Sequence, residues 1–103
     1  MKILLLCDDL MSRVRIESAW KKAGAEMLKK DGAQPPDLIV LDLTAREALA
    51  QIERLRAAHP GVDILAFGPH VDADAFRQAK EAGATELVAR GAVVQRVLAR
   101  FKT

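Results

Sequence analysis

The clearest pattern in the chain is a run of apolar residues that ends in an aspartate. Pro36 and Asp37 precede the run Leu-Ile-Val-Leu at residues 38–41. Asp42 follows the run directly, and the polar residue Thr44 comes two positions later. A short unbroken apolar run, bounded by a proline and a polar turn, is typical of a parallel strand covered on both faces. Because the C-terminal ends of parallel strands form the binding edge of such sheets, Asp42 is the first candidate functional residue.

Similar apolar runs alternate with helical spacing over the remaining chain. Strands are predicted at residues 2–7, 25–29, 37–42, 62–67 and 85–89, and helices at 10–22, 45–59, 72–82 and after Gly91. The second helix would begin at a capping box formed by Thr44 and Glu47, and Asp72 would cap the third. This alternation predicts one α/β domain over residues 1–103, with a five-stranded parallel sheet in the flavodoxin-like order 2-1-3-4-5.

One connection departs from that plan, because the helix between the second and third strands is missing. About six residues join these strands, so a parallel crossover needs a nearly straight path at up to ~3.5 Å per residue. Pro35 and Pro36 favour such an extended path. An antiparallel hairpin that turns at Asp31 and Gly32 is the alternative, and we favour the crossover.

The missing helix would leave part of one sheet face without a cover. A homodimer is one solution, and a sideways shift of the helix at residues 45–59 is the other. The first helix raises a second question, because Leu10 and Val14 fall roughly opposite Ile16 and Trp20 at about 100° per residue. Trp20 is interpreted either as a partner contact or as a ring lying over the sheet edge.

Composition narrows the functional classes. The chain is 50% hydrophobic and 29% charged with a net charge of +2, and no apolar stretch approaches the roughly 18 residues of a membrane helix. Basic residues are interspersed with acidic ones, which argues against direct binding of nucleic acid. Cys7 is the only cysteine, so we expect a reduced, cytoplasmic protein. No nucleophile–base pair or zinc-ligand spacing is visible, and we do not expect an enzyme.

Three carboxylates are predicted to meet at the binding edge of the sheet. Asp8 and Asp9 follow the first strand, and Asp42 ends the third strand, which is its neighbour in the expected order. Carboxylates that converge in this way repel one another, and a cation relieves the repulsion. Oxygen ligands of this type favour Mg²⁺. The alternative is that Asp8 or Asp9 caps the first helix and Asp42 begins a turn.

These acidic positions, with two longer segments, resemble the receiver domain of two-component response regulators over nearly the whole chain. The matching segments are the pair Asp8-Asp9, residues 36–42 and residues 83–90. The resemblance implies that Asp42 is the phosphoacceptor for a histidine kinase in a phosphorelay. It also implies that Asp8, Asp9, Asp42 and the Thr44 backbone carbonyl bind Mg²⁺, which neutralises the transferring phosphoryl group.

Three departures from the receiver pattern indicate an atypical member. Gly68 stands at the end of the fourth strand, where the family has a Ser or Thr hydroxyl that binds the phosphoryl group. Arg90 stands at the position of the family's lysine, so it keeps the positive charge but not the compact ammonium geometry. The missing helix is the third departure. His70 falls near the expected mouth of the site, where it either steers access of water and phosphodonor or is simply solvated.

The sequence therefore leaves two main hypotheses. We favour a stand-alone atypical or pseudo-receiver domain that signals through a protein partner, with weak Mg²⁺-dependent phosphorylation of Asp42. The alternative is a fully competent phosphoacceptor response regulator in a histidine kinase phosphorelay. A flavodoxin-like small-molecule binder or enzyme is a distant third. If phosphoryl transfer occurs, Arg90 and Gly68 are the residues expected to contact the phosphate.

Overall fold

A five-stranded parallel sheet with helices on both faces forms the structure. The computed structural model describes residues 1–30, 32, 34–68 and 73–101. The strands are β1 (Lys2–Leu6), β2 (Glu26–Met27), β3 (Leu38–Asp42), β4 (Asp63–Gly68) and β5 (Glu86–Ala89). The helices are α1 (Leu10–Lys22), α2 (Ala48–Ala58), α3 (Ala73–Ala82) and α4 (Val93–Leu98), and short 3₁₀ turns cover Arg90–Ala92 and Ala99–Phe101.

The strand order is β2-β1-β3-β4-β5, and every neighbouring pair is parallel. This confirms the predicted flavodoxin-like architecture with four helices. It also confirms the parallel crossover from β2 to β3, because a hairpin would have made these two strands run in opposite directions. No helix is present among the described residues of the connection at 28–37. The short β2 pairs only through Lys2 with Glu26 and Ile3 with Met27.

Strand β3 lies at the centre of the sheet, and all five of its residues are buried. Alternate side chains of a strand point to opposite faces, so β3 contributes to two cores. Leu38 and Val40 pack on the side of α1 and α4, whereas Ile39 and Leu41 pack on the side of α2 and α3. Burial on both faces explains why the run is apolar without alternation.

Helix α1 buries only one of the two apolar groups that its sequence presents. Ile16 and Trp20 are 1% and 0% exposed, whereas Leu10 and Val14 are 61% and 57% exposed. The Trp20 indole Nε1 donates a hydrogen bond to the Val94 carbonyl in α4 at 3.3 Å. Trp20 is therefore a core residue between α1 and α4, and its interpretation as a partner contact is wrong.

The sheet face beside the missing helix is covered within the chain. Leu4 and Leu6 of β1 point to that face, and they are only 7% and 4% exposed. Both belong to the same buried cluster as Ile52 and Leu55 of α2. Helix α2 thus helps to close the gap, which was the alternative to a homodimer. The uncovered face that motivated the homodimer prediction does not exist in this structure.

The predicted capping box does not begin α2. The helix starts at Ala48, and the residue before it, Glu47, has a left-handed backbone with φ 54° and no side-chain capping bond. The Thr44 hydroxyl donates instead to Asp42 at 2.8 Å. Thr44 lies too far before Ala48 to cap the helix, and its hydroxyl contributes to the site instead. The predicted cap at Asp72 and the loop residue His70 lie outside the described residues.

None of the helices in the described ranges is both long and apolar enough to cross a membrane.

Candidate functional site

The C-terminal ends of four parallel strands bring the predicted site residues to one edge of the sheet. Asp8 and Asp9 follow β1, Asp42 ends β3, Gly68 ends β4 and Arg90 follows β5. Gly68 is buried and pairs with Ala89, so its position offers backbone atoms and no hydroxyl. The parallel topology alone explains why residues so distant in sequence meet here.

The carboxylate of Asp42 is buried and already has a partner on each oxygen. Its exposure is 1%. Oδ1 accepts hydrogen bonds from the Thr44 backbone N–H at 2.9 Å and from the Thr44 hydroxyl at 2.8 Å. Oδ2 accepts from the Arg90 Nη2 at 2.8 Å and from the Cys7 thiol at 3.5 Å. These donors, one of them cationic, satisfy the hydrogen-bonding capacity of a carboxylate that is hidden from water.

Arg90 spans the site from the 3₁₀ turn that joins β5 to α4. Its guanidinium carbon lies 5.3 Å from the ring centre of Phe67, within the range of a cation–π contact. Besides the ion pair with Asp42, Nη1 donates to the Ser12 hydroxyl at 3.4 Å. The side chain is 25% exposed. Arg90 is therefore held by three elements, α1, β3 and β4, and places a fixed positive charge beside Asp42.

The two carboxylates after β1 turn towards different partners. Asp8 Oδ2 accepts a hydrogen bond from the Arg46 backbone N–H at 2.8 Å. Asp9 Oδ2 accepts from the Ser12 hydroxyl at 2.5 Å. The Ser12 hydrogen bond is the main cause that lowers the pKa of Asp9 below its ordinary value. Asp9 also precedes α1 as its N-cap residue, although its side chain makes no capping bond.

The predicted Mg²⁺ site requires several carboxylates to converge on one point. In residues 1–30, 32, 34–68 and 73–101, no three His, Cys, Asp or Glu side chains lie close enough together to hold a metal ion. Asp42 is paired with Arg90, and Asp8 and Asp9 are bonded to Arg46 and Ser12. As arranged, the carboxylates do not fit a metal, and the cation beside Asp42 is a guanidinium. The role predicted for the Thr44 carbonyl stays a prediction.

Three residues of this network were not identified from the sequence: Cys7, Ser12 and Phe67. Burial raises the pKa of the Cys7 thiol, and the neighbouring Asp42 carboxylate raises it further, which suits a hydrogen-bond donor. Ser12 had a signal, because it precedes the buried Ile16 by four residues and so shares its helix face. No signal in the sequence indicated Phe67, since a buried aromatic residue at the end of a strand is usually a core residue.

Comparisons with known proteins support the fold. No family model matches the chain, and no curated protein matches it by sequence. A response regulator from Thermotoga maritima is similar in structure, with a TM-score of 0.77 and 18% identity, over 99% of this chain and 98% of that chain. A CheY-like response regulator receiver domain protein from Methanospirillum hungatei JF-1 gives 0.78 and 14%, over 97% and 92% of the two chains.

A third similar structure carries chemical information about itself. It is a response regulator protein from Burkholderia pseudomallei with a phosphorylated aspartic acid, a calcium ion and citrate. Its TM-score is 0.84 at 23% identity, and the match covers 99% of this chain and 66% of that chain. Similarity at these identities establishes the fold and leaves the chemistry open. The chain therefore has the fold of response regulator receiver domains over nearly its entire length.

Proposed function

We propose that this chain is an atypical receiver-like signalling domain whose output is a protein–protein interaction and whose central carboxylate, Asp42, is paired internally with Arg90. The observation that carries the proposal is the occupancy of Asp42. Both of its oxygens accept hydrogen bonds, and one of them forms an ion pair at 2.8 Å. A nucleophile must offer a free lone pair to the phosphorus atom, and the four hydrogen bonds to Asp42 match the roughly four lone-pair sites of a carboxylate. Attack by Asp42 therefore requires at least one of these donors to move first, and displacement of Arg90 would also break the ion pair.

Two further observations support inefficient phosphorylation. The Asp8 and Asp9 side chains are engaged elsewhere, so the charge of a transferring phosphoryl group would meet no preorganised metal site. Gly68 provides no hydroxyl for that group. Electrostatic preorganisation usually makes the largest contribution to this kind of chemistry. We further propose that the chain has no enzymatic activity of its own and acts in the cytoplasm.

The second candidate is a fully competent phosphoacceptor in a histidine kinase phosphorelay. Its support is the retention of Asp8, Asp9 and Asp42 at one sheet edge, beside the positive charge of Arg90. In that case Mg²⁺ would bind Asp8, Asp9 and Asp42 after their side chains turn. The metal would supply positive charge, while the Arg90 guanidinium would leave Asp42 and contact the phosphate.

Exposure to a small phosphodonor distinguishes the two candidates. The wild-type chain and the variant Asp42→Asn are incubated with acetyl phosphate and Mg²⁺, and intact mass is measured over time. Trp20 fluorescence is followed in parallel with beryllofluoride, because its indole bonds to α4 directly after the Arg90 turn. We expect little or no phosphoryl adduct on the wild type. Arg90→Lys, which loses the forked guanidinium but keeps the charge, should accept more.

Stoichiometric phosphorylation of the wild-type chain that disappears in Asp42→Asn would overturn the proposal in favour of the competent phosphoacceptor. An adduct of equal size in both proteins would place the modification on another residue and leave Asp42 unmodified. The Arg90→Lys variant provides the internal control, because it shows that the assay can detect acceptance when Arg90 is weakened.

A further inference from the structure

An open groove lies at the sheet edge where the crossover helix is missing. One part of it, about 410 Å³ in volume, lies between α1 and the segment that follows β2. The other part, about 600 Å³, lies beside the start of α2. Asp8 and Lys30 line both parts, so the two are adjacent. The edge strand here, β2, contains only two residues, and no helix is present among the described residues that follow it before β3.

Positive charge dominates the lining of this groove. Six basic side chains line its two parts, against three acidic ones, which gives a net charge of +3. The basic residues are Arg13, Lys21, Lys29, Lys30, Arg46 and Arg54, and the acidic ones are Asp8, Glu17 and Glu47. The excess exceeds the net charge of +2 on the whole chain. Charge is therefore concentrated here and not spread evenly over the surface.

The basic side chains of the groove are also uncompensated. Over the described ranges, none of the six forms an ion pair with a carboxylate. The arginines that do, Arg77, Arg90, Arg96 and Arg100, all lie elsewhere. Unpaired charges at a concave surface raise the local concentration of an oppositely charged partner and speed its association.

A hydrogen-bond acceptor in the groove also lacks a partner. Gln51 lines the part beside α2, and its Nε2 donates to the Arg46 carbonyl at 2.7 Å. Its Oε1 is buried, and among the side-chain atoms of the described residues it is the one buried nitrogen or oxygen without a hydrogen bond. Because this oxygen is buried, a partner's donor reaches it only after the Gln51 side chain turns, and the hydrogen bond then formed would stabilise it. Phosphate groups carry no such donor at neutral pH, whereas a peptide backbone does.

We propose that this groove binds an acidic peptide segment of a partner protein. The mixed lining supports a peptide over a nucleic acid, because Asp8, Glu17 and Glu47 would repel a continuous phosphate backbone. Among the described residues that line the groove, none is an aromatic residue on which a base could stack. A peptide rich in Glu and Asp can place occasional Lys or Arg side chains against these three carboxylates and offer N–H groups to Gln51.

This inference rests on the proposed function, because it names the chemistry of the partner through which the domain would signal. Its test does not use Asp42. A fluorescein-labelled Glu-rich peptide is titrated with the whole chain, and fluorescence anisotropy is measured at low and at physiological salt. A Lys-rich peptide of equal length and a single-stranded oligonucleotide serve as comparison probes. The Glu-rich peptide should bind more tightly than either, and salt should weaken its binding.

Charge reversal locates the binding surface. Lys30→Glu and Arg54→Glu change the groove, while Arg15→Glu and Lys80→Glu introduce the same charge change at exposed positions away from it. Each groove variant should weaken peptide binding about fivefold, which corresponds to roughly 1 kcal/mol for an exposed charge contact. The control variants should change it less than about twofold. Circular dichroism checks that all four variants remain folded.

Three results would overturn the inference. The first is the absence of binding to the Glu-rich peptide even at low salt. The second is an equal loss of affinity in the groove variants and the control variants. The third is tighter binding of the oligonucleotide, lost on charge reversal in the groove. The proposed function fails separately, because stoichiometric phosphorylation of Asp42 would refute it and would leave the peptide titration unchanged.

Discussion

Removal of the Arg90 guanidinium tests whether the ion pair with Asp42 organises the site. In Arg90→Ala, the carboxylate of Asp42, which is only 1% exposed in the wild type, would lose its only ionic partner among the described residues. The variant also loses the contact with Phe67 and the hydrogen bond to Ser12. We therefore expect a clear loss of stability at neutral pH.

The magnitude follows from what remains around Asp42. Breaking a buried ion pair by removing one partner typically costs about 3–5 kcal/mol, because the other charge is left uncompensated. Here Arg90 is 25% exposed, so water partly replaces it, and Thr44 still donates two hydrogen bonds to Oδ1. These two features reduce the expected loss to about 2–4 kcal/mol. For a domain of this size, that lowers the melting temperature by roughly 10 °C or more.

A double-mutant cycle measures the pair itself. Urea denaturation gives the free energy of unfolding for the wild type, Arg90→Ala, Asp42→Asn and the double variant. We expect a coupling energy of about 2 kcal/mol, since Asn carries no charge for Arg90 to neutralise. Arg90→Lys is the matched control and should lose only about 1 kcal/mol, because it keeps the charge but not the fork. A coupling energy below about 0.5 kcal/mol would refute the central role assigned to the ion pair.

Three further predictions concern other parts of the fold. Arg56→Lys should lower the free energy of unfolding in urea by about 2–3 kcal/mol, because the Arg56 guanidinium donates to four backbone carbonyls and one hydroxyl. The exposed control Arg54→Lys should leave that free energy unchanged, and equal effects of the two variants would contradict this. Cys7 should react slowly with iodoacetamide in the folded chain and rapidly in urea, since burial raises the pKa of its thiol; fast native labelling would contradict it. Burial opposes ionisation of Glu86, but its hydrogen bonds to two arginines outweigh that effect and hold its pKa below the ordinary 4.5. The stability that Glu86 contributes is therefore present above pH about 4.5 and is lost as the pH falls through its lower pKa in the folded state. Glu86→Gln should flatten the acid side of a curve of unfolding free energy against pH, and an unchanged acid side would contradict this.

Predictions about the elements succeeded where the pattern was local and strong. The unbroken apolar run at residues 38–41 predicted a central strand covered on both faces, and the structure has that strand. The missing helix also followed from the sequence, because a connection that short leaves no room for a helix. The parallel crossover was favoured over a hairpin on the two prolines, and the structure decided between them. The start of α2 did not follow. The capping motif placed the start at Thr44, but the backbone turns through a left-handed residue at Glu47 and the helix begins only at Ala48, which local sequence does not indicate.

Sequence alone determined which chemical groups the chain can bring to its binding edge. Strand periodicity and parallel order placed Asp8, Asp9 and Asp42 there, since each follows or ends a strand that points the same way, and the resemblance to receiver domains added Arg90. Only the tertiary structure decided how these groups pair. Orientation of a side chain depends on donors from distant segments, such as the Arg46 N–H for Asp8 and the Arg90 fork for Asp42. Those contacts pair Asp42 with a guanidinium and give Asp8 and Asp9 other hydrogen-bond donors, an arrangement that no strand pattern specifies.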